Sequence, residues 1–273
     1  MKLGVVGKGG SGKTTVAALL VQAYTERGAR VLAVDTDANP NLALSLGLDL
    51  AEADRVPVLP RSLIVGEGDG ATPPADLVDR YGVSTPAGAI LVHAMSVNRA
   101  AAGCMCSGHA SVRSLLGAAI DGEADVTIVD MEAGLEHLSR SGGTLAYADV
   151  LLAVVEPTRK SIRAAARIRA LAEDLGIPRI YAVGNKARRP DDATLFVAAQ
   201  HDHGLPLAAV LPYEHEVVDA ERAGTMLSPE QAPAARQAVA ELIDLLASTD
   251  EERAGLRRRV ATLERQLAEL QSR

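Results

Sequence analysis

The sequence predicts an α/β protein with a doubly wound, mainly parallel sheet and a C-terminal amphipathic helix. Short apolar runs alternate with helical patterns along most of the chain, and a repeated strand-then-helix order builds a parallel sheet through right-handed crossovers. Several runs are apolar along nearly their whole length, as expected of strands that helices cover on both faces. A glycine-rich loop joins the first strand to the first helix, where such sheets bind ligands.

The individual elements follow from these runs. The predicted strands are Lys2–Gly7, Arg30–Asp35, Ile90–Ser96, Val126–Asp130, Val150–Glu156, Arg179–Gly184 and Leu207–Leu211. The predicted helices are Lys13–Arg27, Ala110–Asp121, Ser161–Leu175 and Asp191–Gln200. Residues 49–88 are rich in Pro, Gly and Asp and break the alternation, which predicts a loop-rich insertion with short helices around Pro73–Arg80.

The composition favours a soluble protein of a reducing compartment. The chain has 273 residues, 48% of them hydrophobic, 23% charged and 2% aromatic, with a net charge of -7. The acidic balance and the scarcity of aromatics argue against a base-stacking nucleic-acid binder. Its two cysteines form no disulfide framework. Because no apolar run approaches about eighteen residues and no signal-peptide core follows Met1, we expect a cytoplasmic protein with no membrane or nucleic-acid partner.

The chain divides into a main α/β domain, residues 1–248, and a charged heptad helix, residues 249–273. The tail has a 4-3-4-3 spacing of apolar residues, at Leu256, Val260, Leu263, Leu267 and Leu270. Two heptads do not decide between a helix packed on its own domain and a dimerising coiled coil. A membrane-surface helix is less favoured, because the polar face mixes both charge signs and the apolar face lacks Trp and Phe.

The segment Gly7–Thr14, GKGGSGKT, matches the phosphate-binding pattern GxxxxGK[ST] in its proper place between a strand and a helix. Glycines let backbone N–H groups point into one concavity, and the helix N-terminus adds partial positive charge. Lys13 then reaches the β- and γ-phosphates of ATP, and the Thr14 hydroxyl ligates Mg²⁺. The predicted nucleotide ligands of this loop are Gly9, Gly10, Ser11, Gly12, Lys13, Thr14 and Thr15.

Carboxylates end two of the predicted strands. Asp35 and Asp37 close the second strand, and Asp130 closes the run VTIVD. Parallel strands end at one edge of the sheet, so Asp130 is expected to hold Mg²⁺ through water and Asp35 to support the Mg²⁺ shell. Farther along, the amide of Asn185 can pair with both the donor and the acceptor of an adenine edge.

A second lysine in the loop, Lys8, makes the segment resemble the deviant Walker A family, which includes partitioning ATPases and the nitrogenase iron protein. This resemblance implies a homodimer in which Lys8 reaches across to the partner's nucleotide. It also implies that Asp37 orients the attacking water, that Asn185 faces adenine, and that Pro212 belongs to a loop flanking the base. The expected catalytic residues are therefore Lys8, Lys13 and Asp37, and the activity is Mg²⁺-dependent ATP hydrolysis.

The two cysteines, Cys104 and Cys106, form a C-x-C motif. Two thiolates supply half of a tetrahedral metal site. A two-fold dimer would complete it as Cys₄, and within one chain His109 could add a third ligand. Two small buried cysteines without a ligand role, or a redox pair, are the other interpretations. The run VDMEAGLEHLSR, the segment DVLLAVVEPTRKSI and the C-x-C motif together resemble the CooC-type nickel-insertion ATPases of CO dehydrogenase maturation, and this resemblance favours metal binding.

The resulting hypothesis is an ATP-driven, dimeric metallochaperone that holds Ni²⁺ or Zn²⁺ and passes it to a client metalloenzyme such as CO dehydrogenase. Thiolate softness alone does not choose between the two metals. A positioning or partitioning ATPase resembling MinD or ParA, with incidental cysteines, is the alternative. A third hypothesis is an interaction protein that binds ATP without hydrolysing it.

Overall fold

A mainly parallel sheet of eight strands runs through the part of the chain that the structure describes. The structure is a computed structural model, which describes residues 1–37, 39–59, 74–94, 124–131, 148–177 and 179–249. Its strands are β1 (Lys2–Gly7), β2 (Val31–Asp35), β3 (Val83–Ser84), β4 (Ile90–His93), β5 (Val126–Asp130), β6 (Val150–Val155), β7 (Ile180–Ala187) and β8 (Leu207–Pro212). Their spatial order is β3-β4-β2-β5-β1-β6-β7-β8, and β3 alone among them is antiparallel to its neighbour.

Helices cover both faces of this sheet. They are α1 (Lys13–Glu26), α2 (Leu42–Ser45), α3 (Leu50–Ala53), α4 (Pro74–Tyr81), α5 (Arg159–Asp174), α6 (Pro190–His203), α7 (His215–Ala223) and α8 (residues 233–249). One core joins α1, α2 and α8 to one face, and the second core joins α4, α5 and α6 to the other. The predicted doubly wound α/β fold is confirmed.

Differences from the predicted bounds arise at the ends of elements. β7 continues to Ala187, three residues past the predicted end, because Ala187 pairs with Pro212 of β8 after a shift in register that follows Gly184. β4 ends at His93, and the structure does not describe Ser96. The two-residue strand β3 and the short helix α7 were not predicted, because neither has enough apolar residues for a period to be read. The predicted helix Ala110–Asp121 lies outside the described residues.

The smallest residue of β7 lets α6 approach the sheet. Phe196, the one Phe in the chain, is 2% exposed and packs over Gly184. A Cβ atom at Gly184 would lie 2.7 Å from the Phe196 ring. Gly184 directly precedes Asn185, so this contact sets the position of α6 beside the end of β7.

The helix α8 crosses the face that α1 covers. Val239, Leu242 and Leu246 are each fully buried in that core. The carboxylate of Glu214 accepts hydrogen bonds from the backbone N–H groups of 234 and 235, which caps the start of α8.

The heptad residues of the predicted tail lie outside the described residues, so the division at residue 248 stays a prediction. Among the described helices, none has the length and hydropathy that a bilayer crossing requires.

A buried histidine makes stability depend on pH. His93 is 3% exposed, its Nε2 has no hydrogen-bond partner among the described residues, and burial lowers its pKa to about 4. Because the unfolded imidazole titrates near 6.5, the unfolded state gains a proton between those two pH values while the folded state does not. Folding stability is therefore lost as the pH falls from about 6.5 toward 4.

We expect His93 to cost the protein about 2 kcal/mol of unfolding free energy between pH 7.5 and pH 5. Urea unfolding of the wild type and of His93→Gln at both values measures this cost. The difference between the two proteins isolates the imidazole, because all other titrating groups are common to both. Identical pH profiles would contradict the prediction.

Candidate functional site

The phosphate loop of residues 7–14 leaves β1 and enters α1 through positions that require glycine. Gly12 has a φ of 92°, and an added Cβ atom there would collide with the amide of Asn185. At Gly7, which has a φ of 155°, a Cβ atom would lie 2.6 Å from the carbonyl oxygen of Val154. The loop is thus held against the ends of β6 and β7, and its shape depends on the absence of side chains.

A cavity of about 260 Å³ opens beside this loop. Nine of the residues predicted from the sequence as nucleotide ligands or catalytic groups line it, namely Gly9, Gly10, Gly12, Lys13, Thr14, Thr15, Asp37, Asn185 and Pro212. Two others, Lys8 and Ser11, are not among the lining residues; Lys8 is exposed and Ser11 is fully buried. The fold therefore brings together residues that lie far apart in the sequence.

Two buried carboxylates lie next to one another at the edge of the sheet below the loop. Asp35 on β2 and Asp130 on β5 are directly paired in the strand register, and they are 0% and 2% exposed. Burial raises the pKa of both carboxyls, and the neighbouring carboxylate raises that of Asp130 further. A hydrogen bond from Thr14 and the charge of Lys13 favour ionisation of Asp130.

The two carboxylates have different surroundings. Asp35 accepts three backbone hydrogen bonds, from the N–H groups of Asp37, Asn41 and Leu42 at 3.0–3.1 Å. It therefore fixes the loop that carries Asp37, which is consistent with a supporting position rather than a direct ligand of Mg²⁺.

The Oδ1 atom of Asp130, by contrast, is buried without a hydrogen-bond partner in the described structure. A buried carboxylate oxygen left unpaired beside a threonine hydroxyl fits a hard cation, which prefers oxygen ligands. Thr14 and Asp130 are the residues that would hold Mg²⁺ here, and the ion would neutralise charge on the nucleotide phosphates.

The end of β7 holds the phosphate loop from behind. The Asn185 amide nitrogen donates to the carbonyl oxygen of Ser11 at 2.8 Å, and its oxygen accepts from the Lys186 N–H at 2.9 Å. In a planar trans peptide the carbonyl and the next N–H point in opposite directions. Holding the Ser11 carbonyl therefore aims the Gly12 N–H away from β7, and Gly12 lines the cavity. The contact between Asn185 and adenine stays a prediction. The second N–H of the Asn185 amide remains available for it.

Sequence reasoning missed two residues of this site, Lys186 and Glu156. The Lys186 Nζ donates to the Gly10 carbonyl oxygen at 2.5 Å and lies 3.1 Å from Glu156 Oε1. Lys186 adopts a left-handed φ of 60°, which costs about 1 kcal/mol for a residue with a Cβ atom. The signals were weak, since Glu156 is one carboxylate after an apolar strand and Lys186 resembles any polar residue after Asn185.

Aromatic and cationic groups form the outer wall of the cavity. Pro212 and Tyr213 line it, and the Arg188 guanidinium lies 3.9 Å from the centre of the Tyr213 ring. The His215 ring packs edge-on against the Tyr213 ring, with 5.2 Å between the ring centroids. These two contacts hold the Tyr213 ring in place, and an aromatic ring at the cavity wall suits the flank of a planar base.

The predicted metal-binding residues Cys104 and Cys106 lie outside the described residues, as does His109. Within the described ranges no three His, Cys, Asp or Glu side chains form a group that could hold a metal ion. The thiolate site therefore stays a prediction from the sequence.

Comparison with known proteins agrees with this geometry. The family described as "CobQ/CobB/MinD/ParA nucleotide binding domain" matches residues 5–227. The chain is 36% identical to the uncharacterized ATP-binding protein MJ0823 of Methanocaldococcus jannaschii over 236 residues, which cover 82% of this chain and 90% of that protein. It is 34% identical to the carbon monoxide dehydrogenase accessory protein CooC of Rhodospirillum rubrum over 266 residues, which cover 91% and 98%.

Solved structures show the same fold at lower identity. The MinD cell division protein of Aquifex aeolicus superimposes with a TM-score of 0.67 at 22% identity, over 90% of this chain and 96% of that one. Cobyrinic acid a,c-diamide synthase from Mycobacterium smegmatis, solved with ADP and magnesium, gives 0.66 at 23% identity, over 90% and 93%.

We expect Lys186→Met to weaken ATP binding about tenfold. The change removes a charge-assisted hydrogen bond to the phosphate loop, worth about 1.5–3 kcal/mol, and leaves Glu156 without its lysine partner. Titration with a fluorescent ATP analogue measures the affinity. The matched control is Lys160→Met, which removes an exposed lysine on α5. Equal affinities of the two variants would show that Lys186 does not position the loop.

Proposed function

The chain belongs to the CobQ/CobB/MinD/ParA family of nucleotide-binding proteins, and from this membership we propose that it is an ATP-dependent, dimeric metallochaperone. The observation that carries the proposal is the 34% identity to CooC across 91% of the chain. The assembled nucleotide cavity and the paired cysteines of the sequence support it. The cargo is Ni²⁺ or Zn²⁺, and the client is a metalloenzyme such as CO dehydrogenase.

Hydrolysis uses groups that converge on the cavity. The phosphate loop and Lys13 bind the triphosphate, and Lys13 is 8% exposed, so water competes weakly for its charge. Asp37 lines the cavity, and its position is fixed because its N–H donates to Asp35 while its Oδ1 accepts from the Asn39 N–H at 2.9 Å. A carboxylate held in this way can orient the attacking water toward the γ-phosphate.

Dimer closure connects the nucleotide to the cargo. Lys8 is an exposed residue of the phosphate loop, where it is available to the nucleotide of a second copy. In the closed dimer, Cys104 and Cys106 of both copies would supply four thiolates to one ion. Hydrolysis then opens the dimer and releases the ion to the client. Coupling of this kind is reciprocal, so the metal must tighten nucleotide-driven dimerisation by the factor by which ATP tightens metal binding.

A positioning ATPase is the rival function, supported by the fold that the chain shares with MinD. It predicts ATP-dependent sedimentation with DNA or with anionic liposomes, whereas a metallochaperone does not sediment with either. Binding of ATP without hydrolysis is the third possibility, and the rate measurement below decides it.

We expect Asp37→Asn to reduce the ATPase rate about a hundredfold while ATP still binds, because the amide no longer attracts the proton of the attacking water. Steady-state phosphate release measures the rate. Lys13→Ala is the companion variant, and it should lose both binding and turnover. Equal rates in the wild type and both variants would refute these catalytic roles.

We expect the dimer loaded with a non-hydrolysable ATP analogue to hold one Ni²⁺ or Zn²⁺ ion, and Cys104→Ala to hold none. Elemental analysis of the dimer peak from size-exclusion chromatography gives the stoichiometry. Met105→Ala is the matched control, because it changes the residue between the thiolates and should retain the metal. His109→Ala shows whether the imidazole is a ligand. Metal retained by Cys104→Ala would reject the site.

A further inference from the structure

Helix α5 carries a row of four basic side chains, Arg159, Lys160, Arg163 and Arg167, here called the basic stripe. All four are exposed. At about 100° per residue they fall within an arc of about 100°, and the row spans about 12 Å of the helix axis. The buried residues of α5, Ser161, Ala165, Ile168 and Ala172, lie on the opposite side. The stripe therefore points directly away from the sheet.

The stripe has no carboxylate partner within the described residues. The neighbouring Arg169, which lies off the arc, is paired with Glu173 at 2.7 Å. Asp174 shares the arc but lies about 10 Å beyond Arg167 along the helix axis. The chain has a net charge of -7 and therefore an excess of acidic side chains, yet none of those that the structure describes pairs with these four cations.

The position of the stripe on the helix is also unfavourable for stability. Arg159 and Lys160 occupy the first turn of α5, and this fully described helix has no acidic residue in that turn. The N-terminus of a helix carries partial positive charge, so cations there are repelled and acids are preferred. Stability of the isolated chain does not account for this arrangement, whereas an anionic partner does.

Hydrogen bonds connect the start of the stripe to the phosphate loop. Glu156 lies three residues before α5, its N–H donates to the Ser161 hydroxyl at 3.0 Å, and its carboxylate pairs with Lys186, which holds the phosphate loop. The first turn of α5 is thus connected through three side chains to the loop that binds phosphate.

We propose that the basic stripe is the docking surface for an acidic segment of a partner protein. Three of its four cations are arginines, whose planar guanidinium groups bind carboxylates through two parallel hydrogen bonds. A nucleic acid is the poorer fit, because α5 has no aromatic residue on which a base could stack. The proposal is independent of the thiolate metal site.

The test measures binding of the full chain to a fluorescein-labelled peptide of twelve glutamates. Fluorescence anisotropy of the peptide reports the affinity at about 50 mM salt. The stripe variant Arg163→Glu/Arg167→Glu should bind this peptide about tenfold or more weakly than the wild type. The control variant Arg55→Glu/Arg80→Glu alters two exposed arginines outside α5 by the same number of charges and should bind as the wild type does.

Each other outcome overturns the proposal. Equal weakening in both variants would mean attraction to net charge alone, and no binding by the wild type would mean no site. Stripe-dependent binding to an oligothymidylate of the same length, or to phosphatidylserine vesicles, that is tighter than binding to the peptide would assign the stripe to another class of partner. Thermal unfolding shows whether the charge-reversed variant is folded. If it is not, Arg163→Gln/Arg167→Gln replaces it and is also expected to bind the peptide more weakly than the wild type.

Discussion

The site depends on the close approach of the phosphate loop to the ends of β6 and β7. Gly7 lies against a carbonyl of β6, and Gly12 lies against the amide of Asn185. Loop carbonyls are held on that side by Asn185 and Lys186, so N–H groups remain for the cavity. Anion binding by a backbone requires peptide groups that are already oriented, because orienting them on binding would cost conformational entropy. The parallel strand order supplies this orientation before the nucleotide arrives.

The same edge of the sheet concentrates negative charge. Asp35 and Asp130 lie side by side in a buried environment where two carboxylates cannot both ionise at low cost. The different surroundings of the two carboxylates reduce this repulsion. One carboxylate is surrounded by backbone N–H groups, and the other faces Lys13, Thr14 and the expected Mg²⁺ position. A divalent cation would therefore offset a repulsion that the fold itself creates.

Much of this organisation could be predicted from the sequence because it rests on local patterns. The buried strands and the phosphate loop have continuous signals, and the predicted family was confirmed by the comparisons. Lys186 and Glu156 could not be predicted, because their roles arise from the adjacency of β1, β6 and β7, which local periodicity does not encode. The helix α7 was missed because half-buried helices of nine residues leave little apolar period. The thiolate pair at Cys104 and Cys106 still rests on its spacing and on resemblance.

The contact between Gly184 and Phe196 has an evolutionary consequence. A methyl group at Gly184 would have to displace an aromatic ring that is packed between α6 and the sheet, and the adjacent residue in the chain is Asn185. A substitution at Gly184 would therefore disturb the position of Asn185 at the candidate nucleotide site, although Gly184 does not line the cavity. Homologous proteins with a larger residue there should carry a smaller side chain at position 196, so that the two sites change together through descent.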